Sequence, residues 1–343
     1  GLLGLMDPPR PEVPPALERC RRAGIKVLML TGDHPRTAEA VAREIGLLGP
    51  GDLIMTGDEI AALDDAALGR CVERLRVGAR VSPEQKLRVV RALRKKGHVV
   101  AMTGDGVNDA PAVKEADIGI AMGLSGTDVT KEAAALILAD DNFATIVAAV
   151  EQGRVTYNNI RRSIRYLLAS NLGEVILMVA AVFLGLPLPL IPLQILWLNL
   201  VGDGLPALAL GAEPADGSEM HRPPRPRQES IFAGGLGSRI VRHGARMGVA
   251  ALGLYLWALR SGRALPVVRT LTLCGLVLGQ LIYLYRCRGR DRKNPLVTWA
   301  VVASLGMLAA SVLFAPLRTM LQLTPLGLRD WTAAAVAAGL GAL

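Results

Sequence analysis

Cysteine is scarce. The 343 residues hold four, Cys20, Cys71, Cys274 and Cys287, far apart, with no Cys-x-x-Cys pair and no histidine nearby. That spacing excludes a disulfide framework and a zinc-type ligand set, and fits reduced structural thiols. No signal-peptide pattern is read in this sequence, and none is expected. The chain opens Gly1-Leu2-Leu3 rather than with Met, and Asp7-Pro8-Pro9-Arg10 follows at once, as expected of a piece that begins within a domain. Acidic residues are in deficit, 30 against 39 Lys and Arg, for a formal net charge of +9. No nucleic acid is needed to explain that charge. Most of the excess lies in short loops beside apolar stretches, as the positive-inside rule predicts.

Apolar residues are abundant: 51% of the chain, with a mean hydropathy of +0.35. They are unevenly placed. The first 150 residues are mixed and polar, whereas from Ile164 onward apolar stretches of bilayer-spanning length follow one another. Six spans are expected, at 164–186, 190–211, 240–259, 266–285, 296–315 and 330–343, the last of them clipped. The connection 212–239 carries Arg222, Arg225, Arg227 and Arg239, and the connection 286–294 carries Arg286, Arg288, Arg290, Arg292 and Lys293. Both are expected to face the cytoplasm, and the uncharged connection 187–189 to face outward. Residues 1–163 are then cytoplasmic. The Pro-Arg cluster at 222–227 reads as an ordinary cytoplasmic loop rather than an anionic-lipid site.

Residues 1–142 read as an α/β domain. A helical period at Pro14–Cys20 closes at Gly24, a buried strand runs from Ile25 to Leu30, and an amphipathic helix from Arg36 to Ile45 ends at Gly46. Ser82 caps another helix with Pro83 in its first position. Short strands are expected before Asp105, at Ile118–Met122 and at Leu136–Leu138. Strands alternating with helices imply a mainly parallel sheet. Asp141-Asn142-Phe143 caps a long helix without proline, which makes 143–163 a stalk running through Arg161, Arg162 and Arg165 into the first span.

Two constellations carry chemistry. Residues 103–111 read Thr-Gly-Asp-Gly-Val-Asn-Asp-Ala-Pro after the apolar run His98–Met102, which puts the string at the carboxyl end of a buried strand, where open α/β sheets place ligands. Its carboxylates, Asp105 and Asp109, suit Mg²⁺. Thr31-Gly32-Asp33 sits at another strand end, and Lys86 lies at the start of the helix after Ser82-Pro83. Phosphoryl transfer needs oxygen-binding donors, one fixed positive charge and Mg²⁺. Thr31 and Gly32 supply donors, Lys86 the charge and Asp105 the metal ligand, while Asn108 and Asp109 orient the phosphorylated group. In the apolar part, Asn171 and Glu174 are three apart and Asn199 and Asp203 four apart, so each pair is expected on one helical face. Gly202, Gly204 and Pro206 are expected to loosen the second span. All-oxygen ligands there favour hard cations such as Ca²⁺, Mg²⁺ or Mn²⁺.

The string at 103–111 resembles the hinge motif of P-type cation-transporting ATPases, which belong to the haloacid-dehalogenase-like phosphotransferases. Asp7-Pro8-Pro9-Arg10 and Thr31-Gly32-Asp33 are similar to that family's domain entry and phosphate-contacting threonine motif, and Lys86 sits where it places a phosphate-neutralising lysine. The two spans resemble the ion-binding helices of type II members, the calcium pumps, with the match extending through Gly211 and Arg222-Pro223-Pro224-Arg225. The resemblance implies a haloacid-dehalogenase-like α/β domain followed by an all-α transmembrane bundle, ATP as substrate, Mg²⁺ as cofactor and Ca²⁺ as first candidate cargo. Mn²⁺, Na⁺/K⁺ and H⁺ are the alternatives. Two departures fall on one family site: Gly202 stands where two-site pumps carry Thr, and Gln280 where they carry an acidic residue. One cation per cycle is therefore expected. The family's aspartyl nucleophile, in an Asp-Lys-Thr-Gly-Thr string, does not occur in residues 1–343. Nor do the resemblance's nucleotide-binding domain, actuator domain and first four spans. The expectation is the C-terminal part of a pump, inactive as an ATPase by itself, partnered by the missing N-terminal half and by the bilayer, in a bacterial plasma membrane. The competing reading is a non-catalytic truncated or split-gene membrane subunit.

Overall fold

The computed structural model describes residues 8–289 and 294–342. Asp7, Arg290, Arg292, Lys293 and the last residue of the expected sixth span lie outside the described residues. Two compact units emerge, Gly1–Gln152 with Gly217–Glu229, and Gly153–Asp216 with Ser230–Leu343.

In the first unit, β1 (Met29–Leu30), β2 (Leu53–Thr56) and β3 (Leu75–Ala79) form one parallel sheet in the order β1-β3-β2, with Met29 opposite Val77. A second parallel sheet takes β4 (Ala101–Gly104), β5 (Ile118–Met122) and β6 (Leu136–Leu138) in the order β4-β5-β6. One parallel sheet was expected and there are two. The strand expected over Ile25–Leu30 is paired only at Met29–Leu30, because β3 is its sole partner among the described residues. The crossovers are helices: α1 (Val13–Arg22), α2 (Pro35–Glu44), α3 (Gly57–Ala62), α4 (Asp65–Cys71), α5 (Pro83–Lys95), α6 (Ala110–Glu115) and α7 (Asp128–Ala133).

Helix α5 begins as its sequence dictates. The Ser82 hydroxyl accepts from the Gln85 amide and the Gln85 side chain accepts from the Ser82 amide, a capping box with Pro83 at the first position. Its inner face, Val89 and Ala92, packs on Ile60, Leu68, Val72 and Leu75 beside the first sheet, and it also lies against α6 beside the second. The segment Gly217–Glu229, expected as a loop between spans, packs here. Met220 joins Ala16, Cys20, Ala23 and Val147 in one apolar cluster, Arg227 pairs with Asp117 at 3.1 Å, and a Cβ on Gly24 would lie 3.1 Å from Pro224 Cδ and 3.2 Å from Pro223 Cα.

Helix α8 runs unbroken from Phe143 to Phe183, 41 residues, or about 60 Å at 1.5 Å per residue. Asn142 caps it by accepting from the Ala144 amide at 2.8 Å. In the second unit follow α9 (Pro192–Leu198), a π turn (Asn199–Gly204), α10 (Leu205–Gly211), α11 (Leu236–Arg260), α12 (Leu265–Cys287), α13 (Pro295–Leu313), α14 (Ala315–Met320) and α15 (Leu328–Ala342). Four stretches among the described residues are long and apolar enough to cross a membrane: α8, Pro192–Gly211, α12 and α13. The spans expected at 240–259 and 330–343 are helical, but neither is both long and apolar enough. Arg239, Arg242, Arg246 and Arg260 lower the hydropathy of α11, and α15 has 15 residues.

Helix α12 is the innermost of the four. Helices α8 and α11 meet through glycine. A Cβ on Gly248 would lie 2.7 Å from Ile176 Cβ, one on Gly244 2.8 Å from Leu172 Cβ, and one on Gly173 3.1 Å from Met247 Cβ. Gly244-x-x-x-Gly248 is thus a small-residue seam that lets two backbones approach. Gly248→Val is expected to cost about 1–3 kcal/mol by overpacking, read as an earlier thermal unfolding midpoint in detergent, whereas the same change at Gly253, which faces open space, leaves the midpoint in place.

Between β6 and α8, Asp141 adopts a left-handed backbone, φ 49°. Its carboxylate accepts from the Leu124 and Ser125 amides at 3.0 and 2.8 Å. Burial pushes this carboxyl up, but the amide donors outweigh it and hold it at about 2. A carboxyl held below its unfolded value of 3.8 contributes stability above that value and loses it as pH falls towards 2. Asp141→Asn is therefore expected to unfold earlier than the unaltered protein at about pH 6, with the gap closing below about pH 3 in a pH series of thermal melts.

Candidate functional site

Each constellation expected from the sequence assembles within a single unit. In the first, β1 ends at Thr31, whose amide donates to Gly78 O and whose carbonyl accepts from the Val81 amide at 3.0 Å. The Thr31 hydroxyl accepts from the Asp33 amide at 3.1 Å, and Arg80 N donates to Asp33 O. The Thr31-Gly32-Asp33 turn is thereby fastened to the segment that leads into α5. Arg80 takes a left-handed φ of 50° there, and Gly57 has to be glycine because a Cβ would lie 2.3 Å from Arg80 O. Gly32 and Asp33 are exposed.

One turn into α5, the Lys86 ammonium meets Asp109 Oδ1 at 2.7 Å, with both side chains largely buried. Asp109 approaches so closely that a Cβ on Gly104 would lie 2.4 Å from Asp109 Cβ. The loop between them is braced from below, where the buried Thr130 hydroxyl donates to Gly106 O at 2.8 Å and the Thr127 amide to Asp105 O at 2.9 Å. Asp105 and Asn108 point outward, exposed, and the Asp105 carboxylate makes no hydrogen bond among the described residues. The structure therefore links the Thr31 turn, Lys86, Asp109 and Asp105 through α5. An exposed, unengaged carboxylate at a strand end fits Mg²⁺, which takes one or two carboxylates and fills its shell with water and phosphate. Lys86 engages one oxygen of Asp109.

The second constellation is built on α8, the π turn and α12. Glu174 and Asp203 are 6% and 2% exposed and Gln280 is fully buried. Asn171 Nδ2 donates to Leu167 O at 2.8 Å and to Asp203 Oδ2 at 3.4 Å. Gln280 Nε2 donates to Glu174 Oε1 at 2.9 Å, and a Cβ on Gly202 would lie 2.5 Å from Gln280 Oε1. Asn199 is exposed, apart from Asp203.

Two buried oxygens in this region, Asp203 Oδ1 and Gln280 Oε1, have no well-formed hydrogen bond among the described residues, and the buried Ser170 hydroxyl lies close enough to interact with the Asp203 carboxylate. Buried polar atoms are ordinarily satisfied, so a group of unmatched oxygens beside two carboxylates suits a hard cation. No cluster of three or more His, Cys, Asp or Glu occurs among the described residues, and the oxygens gathered here come from amides and a hydroxyl as well as from carboxylates. The sequence reading did not single out Ser170, Tyr166 or Ser304. Tyr166 Oη donates to Gly202 O at 2.6 Å and Ser304 Oγ to Val201 O at 3.0 Å, both bonds fully buried. The available signal was a hydroxyl inside an apolar span.

Residues 187–343 match the family described as cation transporting ATPase, C-terminus, and residues 1–117 match haloacid dehalogenase-like hydrolase. A calcium-transporting ATPase of Bacillus subtilis is 47% identical over 339 residues, covering 96% of this chain and 38% of the relative. Calcium-transporting ATPase 1 of Lactococcus lactis is 51% identical over 252 residues, covering 74% of this chain and 29% of the relative. A probable cation-transporting ATPase F of Mycobacterium bovis is 45% identical over 296 residues, 85% of this chain and 33% of the relative. The chain thus spans well under half the length of these relatives. With two family matches that tile most of it and relatives aligned across both units, the chain belongs to the P-type cation-transporting ATPases, as a C-terminal part of such a protein.

Proposed function

We propose that the chain works as the C-terminal portion of an ATP-driven pump for Ca²⁺, in which formation and hydrolysis of an aspartyl phosphate upstream of these residues are coupled to movement of a cation past Glu174 and Asp203. The observation that carries this reading is the buried group Asn171, Glu174, Asp203 and Gln280, with unmatched oxygens, on the same polypeptide as the Lys86–Asp109 pair. Packing alone does not call for two carboxylates within apolar helices.

The geometry supports the following phosphotransfer roles. Lys86 supplies the fixed positive charge, and Asp109 orients its ammonium. Thr31 and the Gly32 amide offer donors to phosphoryl oxygens. Asp105 would hold Mg²⁺, which supplies charge neutralisation at the phosphoryl group when bound. Both β1 and β4 have an open edge, and each ends in one of these loops. A strand lying between them would bring a carboxylate to the same end, which is where the reading places the phosphorylated aspartate. The uninterrupted α8 gives its first turns to one unit and carries Asn171 and Glu174 in the other, which makes it the proposed route for coupling. The basic connections support a cytoplasmic side for residues 1–163, and a bacterial plasma membrane is the location proposed.

One cation per cycle is the reading that Gly202 and Gln280 support. The Gln280 amide fills the space a side chain at 202 would need and gives Glu174 a neutral donor, where a second cation would need an anionic oxygen. In inverted vesicles holding the full-length pump, ATP-dependent ⁴⁵Ca²⁺ uptake is expected, and Asp203→Asn is expected to abolish it. Uptake that survives in Asp203→Asn, or ATPase stimulated by Mn²⁺ or Na⁺ with no Ca²⁺ uptake, defeats the calcium-site reading. Counting Ca²⁺ against ATP consumed should give a ratio near one; a ratio near two defeats the single-site reading.

A further inference from the structure

Pro206 creates a gap in the helix that carries Asp203. Proline has no N–H. In an α-helix the amide of residue 206 would bond to Gly202 O, and in a π turn, with its i→i+5 pattern, to Val201 O. Neither bond is available. These are the two carbonyls that receive hydroxyls from neighbouring helices: Gly202 O accepts from Tyr166 on α8 at 2.6 Å, and Val201 O from Ser304 on α13 at 3.0 Å. Both hydroxyl-bearing residues are fully buried, so no solvent competes for either bond.

Ser304 therefore satisfies the carbonyl that only the π register leaves without its ladder donor. An α register would return Val201 O to the Leu205 amide and make the Ser304 hydroxyl superfluous. It would also turn Asp203 about its helix axis, away from the 3.4 Å contact with Asn171. We propose that Ser304 is a positioning residue for the cation site. By supplying the donor that Pro206 lacks, it holds Asn199–Gly204 in the π register and so holds the Asp203 carboxylate in place. It touches no cation itself. This rests on the reading of Asp203 as part of a cation site.

The test uses the full-length pump and its ATPase activity titrated with Ca²⁺ and with Mn²⁺. Ser304→Ala is expected to raise the half-saturating cation concentration about three- to tenfold, the effect of one buried neutral hydrogen bond, and to act on that concentration more than on the maximal rate. Ser304→Thr, which keeps the hydroxyl, is expected to stay near the unaltered pump, and Ser304→Val, of the same shape without the hydroxyl, to match Ser304→Ala. That pair decides the question if Ser304→Ala folds poorly. Pro206→Ala returns an N–H to the helix, so Ser304→Ala is expected to cost less in that background. An equal cost in both backgrounds, or Thr no better than Val, overturns the proposal. Asp203→Asn separates the two claims. If it leaves cation dependence unchanged, the site reading falls. If it impairs activation while Ser304→Ala does not, only the role of Ser304 falls.

Discussion

A carboxylate among apolar helices is costly unless donors or a cation compensate it. Glu174 and Asp203 are 6% and 2% exposed, and much of the helical unit is arranged around them. Helix α12 supplies Gln280 to Glu174, and α8 supplies Asn171 to Asp203. Residue 202 is left without a side chain so that Gln280 fits. Compensation is nonetheless incomplete, since oxygens of Asp203 and Gln280 lack a well-formed hydrogen bond among the described residues. In a packed interior such residual polarity is uncommon, and it is the feature on which the proposed cation site rests.

The π turn belongs to the same economy. A straight α-helix through Asn199–Gly204 would leave one carbonyl without a donor at Pro206, and a π turn leaves another. The chain meets both with hydroxyls borrowed from α8 and α13. The carbonyls released by the irregular helix are thus already engaged by protein donors, and side-chain oxygens are left to receive a ligand. Irregular backbone is tolerated at membrane depth where neighbouring side chains take up the freed groups.

The α/β unit solves a different problem. Its two three-stranded sheets are not paired with each other among the described residues, and α5 packs beside both. The Lys86–Asp109 pair lies on that bridge, so the helix that joins the sheets also delivers the charge. A largely buried pair of this kind adds little net stability; its consequence is a fixed position for one ammonium beside the Asp105 loop. Thr31 is held to the same bridge by backbone bonds to Val81, which do not depend on side-chain identity.

What the sequence by itself determined was local. The string at 103–111, the Ser82 cap, the strands Ile118–Met122 and Leu136–Leu138, and the unbroken helix after Asn142 were legible because each rests on residues within a few positions of one another: turn chemistry, capping and hydrophobic period. Glu174 and Asp203 were legible because a charge in an apolar span stands out in one dimension. The tertiary structure alone decided what depends on partners distant in sequence. The sheet is divided in two because pairing is a property of neighbours, not of a strand. Asn199 is exposed while Asp203 is buried, and Gln280, far along the chain, takes the space of a side chain at 202. Gly244 and Gly248 form a seam only when α8 lies across them, and Gly217–Glu229 joins the α/β unit through Met220 and Arg227. Ser304 is one more serine in an apolar helix until α13 packs beside Val201, and its hydroxyl then has a single buried carbonyl to bond.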